Sequence, residues 1–314
     1  MRVIFWGTSD FAVPSLERIY EHGYEIACVV TAPEKQAGRG LKLVASPVKT
    51  CAEKLGLNCL EPDNPNTDEV FYKLKQMQPD VCVLAAYGFL IKSQLLNLAP
   101  KGFINIHPSL LPKYRGAAPI QRTIMNGEKT TGVTTFYMNE AMDAGDIILQ
   151  TDTGIDQDET YDELRLRLGL IGADLIVKTL SMVRDDKVNA IAQNSTQKTL
   201  AKKIKKEECL INWNKPVIEI HNLIRGLSQE PGAYTHFRGK RLRILKSKIP
   251  EQILSAQLPF QAEHGMIVTS KRYMFVNTSE GIIQLLSLQI EGGKILNAID
   301  FMNGQRIKPA EKFE

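Results

Sequence analysis

The stretch Phe103-Ile-Asn-Ile-His-Pro-Ser-Leu-Leu-Pro-Lys-Tyr-Arg-Gly-Ala-Ala-Pro119 decides how the chain is read. It opens as a short apolar run carrying two polar side chains. Side chains alternate along a strand, so Asn105 and His107 share one face while Ile104 and Ile106 share the other. A strand of a parallel sheet is normally apolar on both faces, because helices cover both. Two polar groups at a strand's carboxyl end therefore need a reason, and ligands of open α/β sheets bind beyond those ends. A hydrogen-bonded histidine beside a turn is the competing local reading. Pro108 and Pro112 then stop regular pairing and hold Ser109, Leu110 and Leu111 extended, either as a plain connection or with backbone groups offered to a flat heterocycle.

Outward from this stretch, apolar runs at residues 3–6, 26–31, 81–86 and 103–107 alternate with amphipathic runs at 13–21, 47–55 and 68–76. Such alternation predicts βαβ units and a mostly parallel sheet, an α/β fold of Rossmann type. A later β pair at 132–138 and 147–150 leads into a long helix. Thr160 and Glu163 form a capping box at its start, and Leu164, Leu168, Ile171, Leu175 and Val183 follow at helical spacing. The turn Gly7-Thr-Ser-Asp10 is neither a GxGxxG fingerprint nor a P-loop, so no dinucleotide is expected there.

After about residue 188 the pattern changes. A polar, lysine-rich stretch at 189–208 precedes one helix at 216–227 and then short alternating strands at 233–237, 242–246, 265–269, 272–276 and 282–288. These predict a small antiparallel β-barrel, of the oligonucleotide-binding kind. The expected organisation is an α/β domain over 1–188, a basic linker over 189–208 and a β-barrel domain over 209–314. Charge divides the same way: 19 Lys+Arg against 11 Asp+Glu beyond residue 188, and 20 against 24 before it. The net +4 of the whole chain thus hides a mildly acidic first part and a basic second part suited to an anionic partner.

With 314 residues, 43% hydrophobic and 24% charged, the chain is long enough for two ordinary domains with real cores. Near-average Gly and Pro exclude collagen-like and disordered classes. The apolar start is too short for a signal peptide, and no run approaches the ~18 residues of a membrane span. Five cysteines without a CxxC pair predict a reduced, cytoplasmic protein, in which the acceptor patterns at Asn194 and Asn277 are chance. His22, His107, His221, His236 and His264 are dispersed and no HExxH occurs, so no metal is expected; nor is there a GxSxG elbow.

The second polar element is the turn Met142-Asp-Ala-Gly-Asp146. An Asp-x-Gly turn is commonly structural. Beside an Asn-x-His strand end it also supplies a carboxylate, from Asp143 or Asp146, that can orient an imidazole acting as proton carrier or oxyanion donor. Spacing alone does not choose between the two.

Asn105-x-His107 with Ser109-Leu-Leu-Pro112, followed by Arg115-Gly-Ala-Ala-Pro-Ile-Gln-Arg122 and Met142-Asp-Ala-Gly-Asp146, resembles the folate-dependent formyltransferase family. The resemblance reaches both ends. Phe5-Trp-Gly-Thr-Ser-Asp-Phe11, Gln36-Ala-Gly-Arg-Gly40, Leu84-Ala-Ala-Tyr-Gly88, Ile211-Asn-Trp213 and Leu285-Leu-Ser-Leu-Gln289 are similar to the branch acting on initiator tRNA. Pro108 departs from the Gly or Ala frequent in bacterial members and is expected to stiffen the loop.

The resemblance implies 10-formyltetrahydrofolate as co-substrate and the free α-amine of methionyl initiator tRNA as acceptor, in a monomer with no membrane partner. Under it, His107 and Asn105 stabilise the oxyanion, and Asp143, rather than Asp146, holds His107 and helps relay the proton. Ser109, Leu110, Leu111 and Pro112 line the folate site, with the backbone near Leu84, Tyr87 and Gly88. The long connection over residues 31–49, with Gly38 and Gly40 flanking Arg39, becomes the loop that reaches the acceptor end of tRNA, with Lys42 beside it. Lys203 and Lys206 in the linker, and Arg241 and Arg243 on one face of a strand, supply further phosphate contacts. A formyltransferase for an amino-sugar nucleotide shares fold and co-substrate; the Arg39 loop and the basic second part weigh against it. A catalytically silent RNA-binding relative would have lost one of Asn105, His107 and Asp143, and all three are present.

Overall fold

The computed structural model describes residues 1–37, 42–250, 263–270, 272–308 and 311–314, without the side chains of residues 35–37 and 42. Contacts divide the chain into two compact units. The first comprises Met1–Pro119, Thr130–Thr153 and Arg165–Ala201, and the second Ile120–Lys129, Gly154–Leu164 and Lys202–Glu314.

The first unit is built on strands β1 (Arg2–Gly7), β2 (Glu25–Val30), β5 (Cys59–Leu60), β6 (Val81–Ala85), β7 (Phe103–His107), β8 (Thr130–Tyr137) and β9 (Ile147–Gly154), in the order β5-β2-β1-β6-β7-β8-β9. The pairs β5·β2, β2·β1, β1·β6 and β6·β7 are parallel, and β7·β8 is antiparallel. Val3, Ile4, Phe5 and Trp6 are all fully buried, as a central parallel strand covered on both faces requires. The strand order reverses at β1 and β6, so a crevice opens beyond their carboxyl ends. Gly7 closes that end because a Cβ there would lie 2.8 Å from Ala12 Cβ and 3.1 Å from the Ala85 carbonyl oxygen.

Local sequence sets the flanking helices. Helix α1 (Val13–Glu21) buries Leu16 and Ile19, and Gly23 follows it at φ +73°. In α2 (Pro47–Lys54) Ser46 caps the Lys49 N–H, and in α3 (Asp68–Lys75) Thr67 caps Val70. The expected capping box is present: Glu163 accepts from the Thr160 N–H at 2.8 Å, and Thr160 Oγ1 accepts from the Glu163 N–H at 3.4 Å. The connection over residues 31–49 is not all loop. It holds a two-stranded hairpin, β3 (Lys35–Ala37) with β4 (Lys42–Val44), in which Lys35 pairs with Val44.

In the second unit, β10 (Ala233–Phe237), β11 (Lys240–Lys248), β14 (Gly281–Ile290), β13 (Met274–Thr278) and β12 (Ile267–Thr269) lie in that order, and β15 (Leu296–Asn297) also pairs with β14. The pairs β10·β11, β11·β14, β13·β14, β12·β13 and β14·β15 are antiparallel, so the antiparallel strands expected of the second domain are present as a six-stranded sheet. Its core gathers Trp213, Phe237, Phe301 and Phe313 with Ile220 and Ile224 of the helix Val217–Gly226.

Candidate active site

Asn105 and His107 lie at the end of β7, 8% and 4% exposed. Asn105 pairs in register with Leu84 of β6, which brings the carboxyl ends of the two strands together. Beyond β6 the backbone turns sharply, with Ala86 at φ +44° and Gly88 at φ +89°. The Asn105 amide oxygen is buried and has no hydrogen-bond partner among the described residues. A buried acceptor left in that state costs about 1–3 kcal/mol, which a ligand's donor would recover.

His107 is held from two sides. Its Nε2 lies 2.9 Å from the carbonyl oxygen of Tyr114. A carbonyl only accepts, so this nitrogen carries the hydrogen. Its Nδ1 faces Asp143 Oδ2 at 3.8 Å, an ion-pair distance once the ring is protonated and too long for a direct hydrogen bond. That same Oδ2 accepts from the Gly116 N–H at 2.8 Å. Asp143 itself sits at φ +50°, a left-handed conformation that costs free energy and clusters at working sites. The structure thus brings together the three expected residues, and it is Asp143 that reaches His107.

The loop after β7 is a fixed wall. Thr134 Oγ1 donates to the Ser109 carbonyl at 2.6 Å and accepts from the Leu111 N–H at 3.2 Å, while Gln150 Nε2 donates to the Leu111 carbonyl at 2.9 Å. The Lys113 N–H takes the Leu110 carbonyl at 3.1 Å. Backbone groups of Ser109, Leu110 and Leu111, expected to face a heterocycle, are in large part spent inside the protein, because two neighbouring strands supply partners for them. Leu111–Pro112 is a cis peptide. Tyr87 points into the core, edge-on to Trp6 at 5.3 Å, and burial pushes its phenol pKa up. The Tyr87 ring is therefore part of the core and not a group offered at the strand end.

The residues expected to meet tRNA are placed unequally. Arg39 lies outside the described residues, and of Lys42 only the backbone, in β4, is described. Lys49, from the same connection, is tied to Glu34 at 2.9 Å and Glu61 at 2.8 Å, which raises its pKa. Lys203 and Lys206 are exposed in the second unit. Arg241 and Arg243 alternate with buried Leu242 and Ile244, as expected, but both are engaged. Arg241 stacks 3.9 Å from the centroid of the Tyr234 ring. Arg243 bonds Gln289, Gln229 and Glu230. Residues that the motifs did not single out complete the first unit's site. They are Thr134 and Gln150, which pin the loop, and Gln193, whose amide joins Arg115 to the Asp143 turn. Among the described residues no three His, Cys, Asp or Glu side chains gather as metal ligands, and no helix is long and apolar enough to cross a membrane.

A strand-end Asn/His pair with a facing carboxylate thus lies at the carboxyl edge of a doubly wound sheet, where such sheets bind their ligands. The chain belongs to the formyl transferase family: the family's own domain matches residues 1–180, and its C-terminal domain matches 203–306. Among relatives, the methionyl-tRNA formyltransferase of Solibacter usitatus is 43% identical over 99% of this chain and 98% of its own length. That of Carboxydothermus hydrogenoformans is 43% identical over the full length of both. Two solved structures share the fold at low identity. An N-formyltransferase from Helicobacter canadensis in complex with folinic acid and dTDP-3-aminofucose is 21% identical, with a TM-score of 0.67 over 90% of this chain and 98% of its own. HypX from Aquifex aeolicus in complex with tetrahydrofolic acid is 14% identical, with a TM-score of 0.68 over 99% of this chain and 48% of its own.

Proposed function

We infer that this enzyme transfers a formyl group from 10-formyltetrahydrofolate to the free amine of methionine on initiator tRNA. The observation that carries the reading is the His107–Asp143 pair beside the Asn105 amide oxygen, unpartnered among the described residues, in a chain related over its whole length to methionyl-tRNA formyltransferases. Bound 10-formyltetrahydrofolate supplies the activated formyl group. The protein's part is to orient an amine and to handle one proton and one developing negative charge.

Because Nε2–H is committed to Tyr114, the neutral His107 ring presents its Nδ1 lone pair toward the Asp143 side. That lone pair takes the proton which the attacking amine must lose and returns it to the folate nitrogen that departs as its bond to the formyl carbon breaks, leaving tetrahydrofolate. The imidazolium so formed faces Asp143, whose carboxylate is held in place by the Gly116 N–H. Asn105 supplies amide N–H groups for the charge developing on the transferred oxygen, and its Oδ1 accepts from the incoming amine. The wall of Ser109, Leu110, Leu111 and Pro112 and the backbone at Leu84 and Gly88 flank this point and bound the folate site. Arg39, Lys42, Lys203, Lys206, Arg241 and Arg243 serve the tRNA, the last two also holding their own strand.

The test offers 10-formyltetrahydrofolate with charged initiator tRNA, charged elongator tRNA and an amino-sugar nucleotide. Formylation of initiator methionyl-tRNA is expected; formylation of the sugar alone, or of none, overturns the reading. Asn105→Ala is expected to lower kcat by about a hundredfold or more without unfolding the protein.

A further inference from the structure

We propose that Gln193 is a positioning residue for Asp143, so that the segment over residues 189–201 is a working part of the formyl-transfer site rather than a spacer. The proposal rests on the formyl-transfer reading of that site.

Gln193 spends its whole amide on this task. Its Nε2 donates to the carbonyl oxygens of Asp143 at 2.9 Å and Gly145 at 2.7 Å. Its Oε1 accepts from Arg115 Nε at 3.0 Å and Nη2 at 2.7 Å. The orientation of the amide is not ambiguous, since carbonyls only accept and a guanidinium only donates. Two carbonyls of a tight turn thus converge on one NH2 group. That convergence fixes the left-handed backbone at Asp143, φ +50°, and with it the direction of the carboxylate toward His107.

The position of Gln193 is itself fixed on both sides. Before it, Ile191 and Ile147 exchange two backbone hydrogen bonds of 2.8 Å each. After it, the Tyr114 N–H donates to Thr199 Oγ1 at 2.8 Å and the Arg115 N–H to the Thr199 carbonyl at 3.0 Å. The Ala201 N–H returns to the Arg115 carbonyl at 2.7 Å, and the Ala118 N–H to that of Ala201 at 3.0 Å. Gly116 is required there, because a Cβ would stand 2.8 Å from the Ala201 carbonyl oxygen. One segment therefore sets the surroundings of both ring nitrogens of His107. Through Thr199 it holds Tyr114, whose carbonyl binds Nε2; through Gln193 it holds Asp143, which faces Nδ1.

The test uses the full-length chain. Gln193→Ala is expected to lower kcat for formyl transfer by about ten- to a hundredfold, the scale of a small misplacement of a catalytic group, with both KM values within about threefold. If Gln193 acts through Asp143, the two changes do not add: Gln193→Ala placed on Asp143→Ala causes no further loss. Gln193→Met keeps the length and packing and serves if the alanine variant does not fold; it is expected to lose the same activity. The ring-nitrogen NMR resonances of His107 give a readout without turnover, and Gln193→Ala or Gln193→Met should shift them in the direction that Asp143→Asn does. Either a kcat within twofold of wild type in both variants, or an equal loss on the Asp143→Ala background, overturns the proposal, as does an unmoved His107 resonance. Should the wild-type chain formylate none of the acceptors, the functional reading fails while the resonance still decides the positioning role.

Discussion

Replacing Gly145 by alanine tests how far the carboxylate turn is fixed. An alanine Cβ at this position would stand 1.7 Å from the Tyr137 carbonyl oxygen and 2.9 Å from its carbon. The two segments must part by roughly 1.5 Å before those atoms stop overlapping. The turn is not free to retreat. The Tyr137 N–H is bonded to the Asp146 carbonyl at 2.9 Å, and the Gly145 carbonyl is held by Gln193 at 2.7 Å. Some of the displacement therefore passes to Asp143, two residues earlier, whose Oδ2 has one backbone anchor at 2.8 Å and one imidazole at 3.8 Å. A shift of about 1 Å in a catalytic group costs about a hundredfold in rate. Gly145→Ala is thus expected to lower kcat for initiator methionyl-tRNA by about that factor and, as an overpacked site, to lower stability by about 1–3 kcal/mol. Steady-state kinetics and urea unfolding on the same preparation measure both. A variant that unfolds like wild type and keeps kcat within twofold would refute the claim that this turn's geometry serves the reaction.

Three further outcomes follow from other parts of the molecule. Arg39→Ala is expected to weaken use of tRNA more than use of folate and to reduce the slope of log affinity against log salt by about one; equal use of tRNA by the variant would remove the loop from the interface. His221 is buried, with Nδ1 2.9 Å from Ser247 Oγ and Nε2 3.2 Å from the Gln157 carbonyl, and burial lowers its pKa. Above the ordinary imidazole value of about 6.5 neither folded nor unfolded chain is protonated there, whereas below it the unfolded chain takes a proton that the folded one resists. Stability should fall as pH drops below that value, with a slope of up to about 1.4 kcal/mol per pH unit that His221→Gln removes; an unchanged slope in urea titrations would contradict this. Gly304 lies exposed in the helix Ala298–Gln305, and no atom of the described residues stands within 4 Å of where an alanine Cβ would lie, so Gly304→Ala should raise stability by about 0.5–1 kcal/mol while leaving kcat unchanged.

Parts of this molecule were legible wherever a local rule and the tertiary structure agree. Strand β7 spans Phe103–His107 and helix α1 spans Val13–Glu21, the residues their apolar spacing indicates. The hairpin of β3 and β4 was not legible, because Lys-Gln-Ala and Lys-Leu-Val are three residues each and show neither alternation nor β-branched enrichment. The helix Pro119–Met125 was hidden inside a motif read for chemistry, although Pro at its first position is a start signal. The helix Ala298–Gln305, capped by Asn297 Oδ1 accepting from the Asp300 N–H, is short and carries Gly304, which weakens its helical pattern.

The candidate site divides along the same line, and the division has a physical cause. Asn105 and His107 announce themselves because a parallel strand has no ordinary use for polar groups at its end, and Asp143 because it shares a tight turn with a glycine. Gln193 breaks no local rule: a glutamine in a polar stretch is what solvent alone would select. Its role arises from an approach to Asp143 across 50 residues of sequence, with the helix Tyr161–Arg184 lying between the two in the chain. Arg115 shows the same difficulty. In the sequence it is one letter of a longer motif with no role of its own, yet it is only 8% exposed and donates twice to the Gln193 amide oxygen. Sequence marks groups that depart from what their own element needs. It is silent about groups whose whole function is to satisfy another residue's backbone, and in this enzyme those groups decide where the carboxylate points.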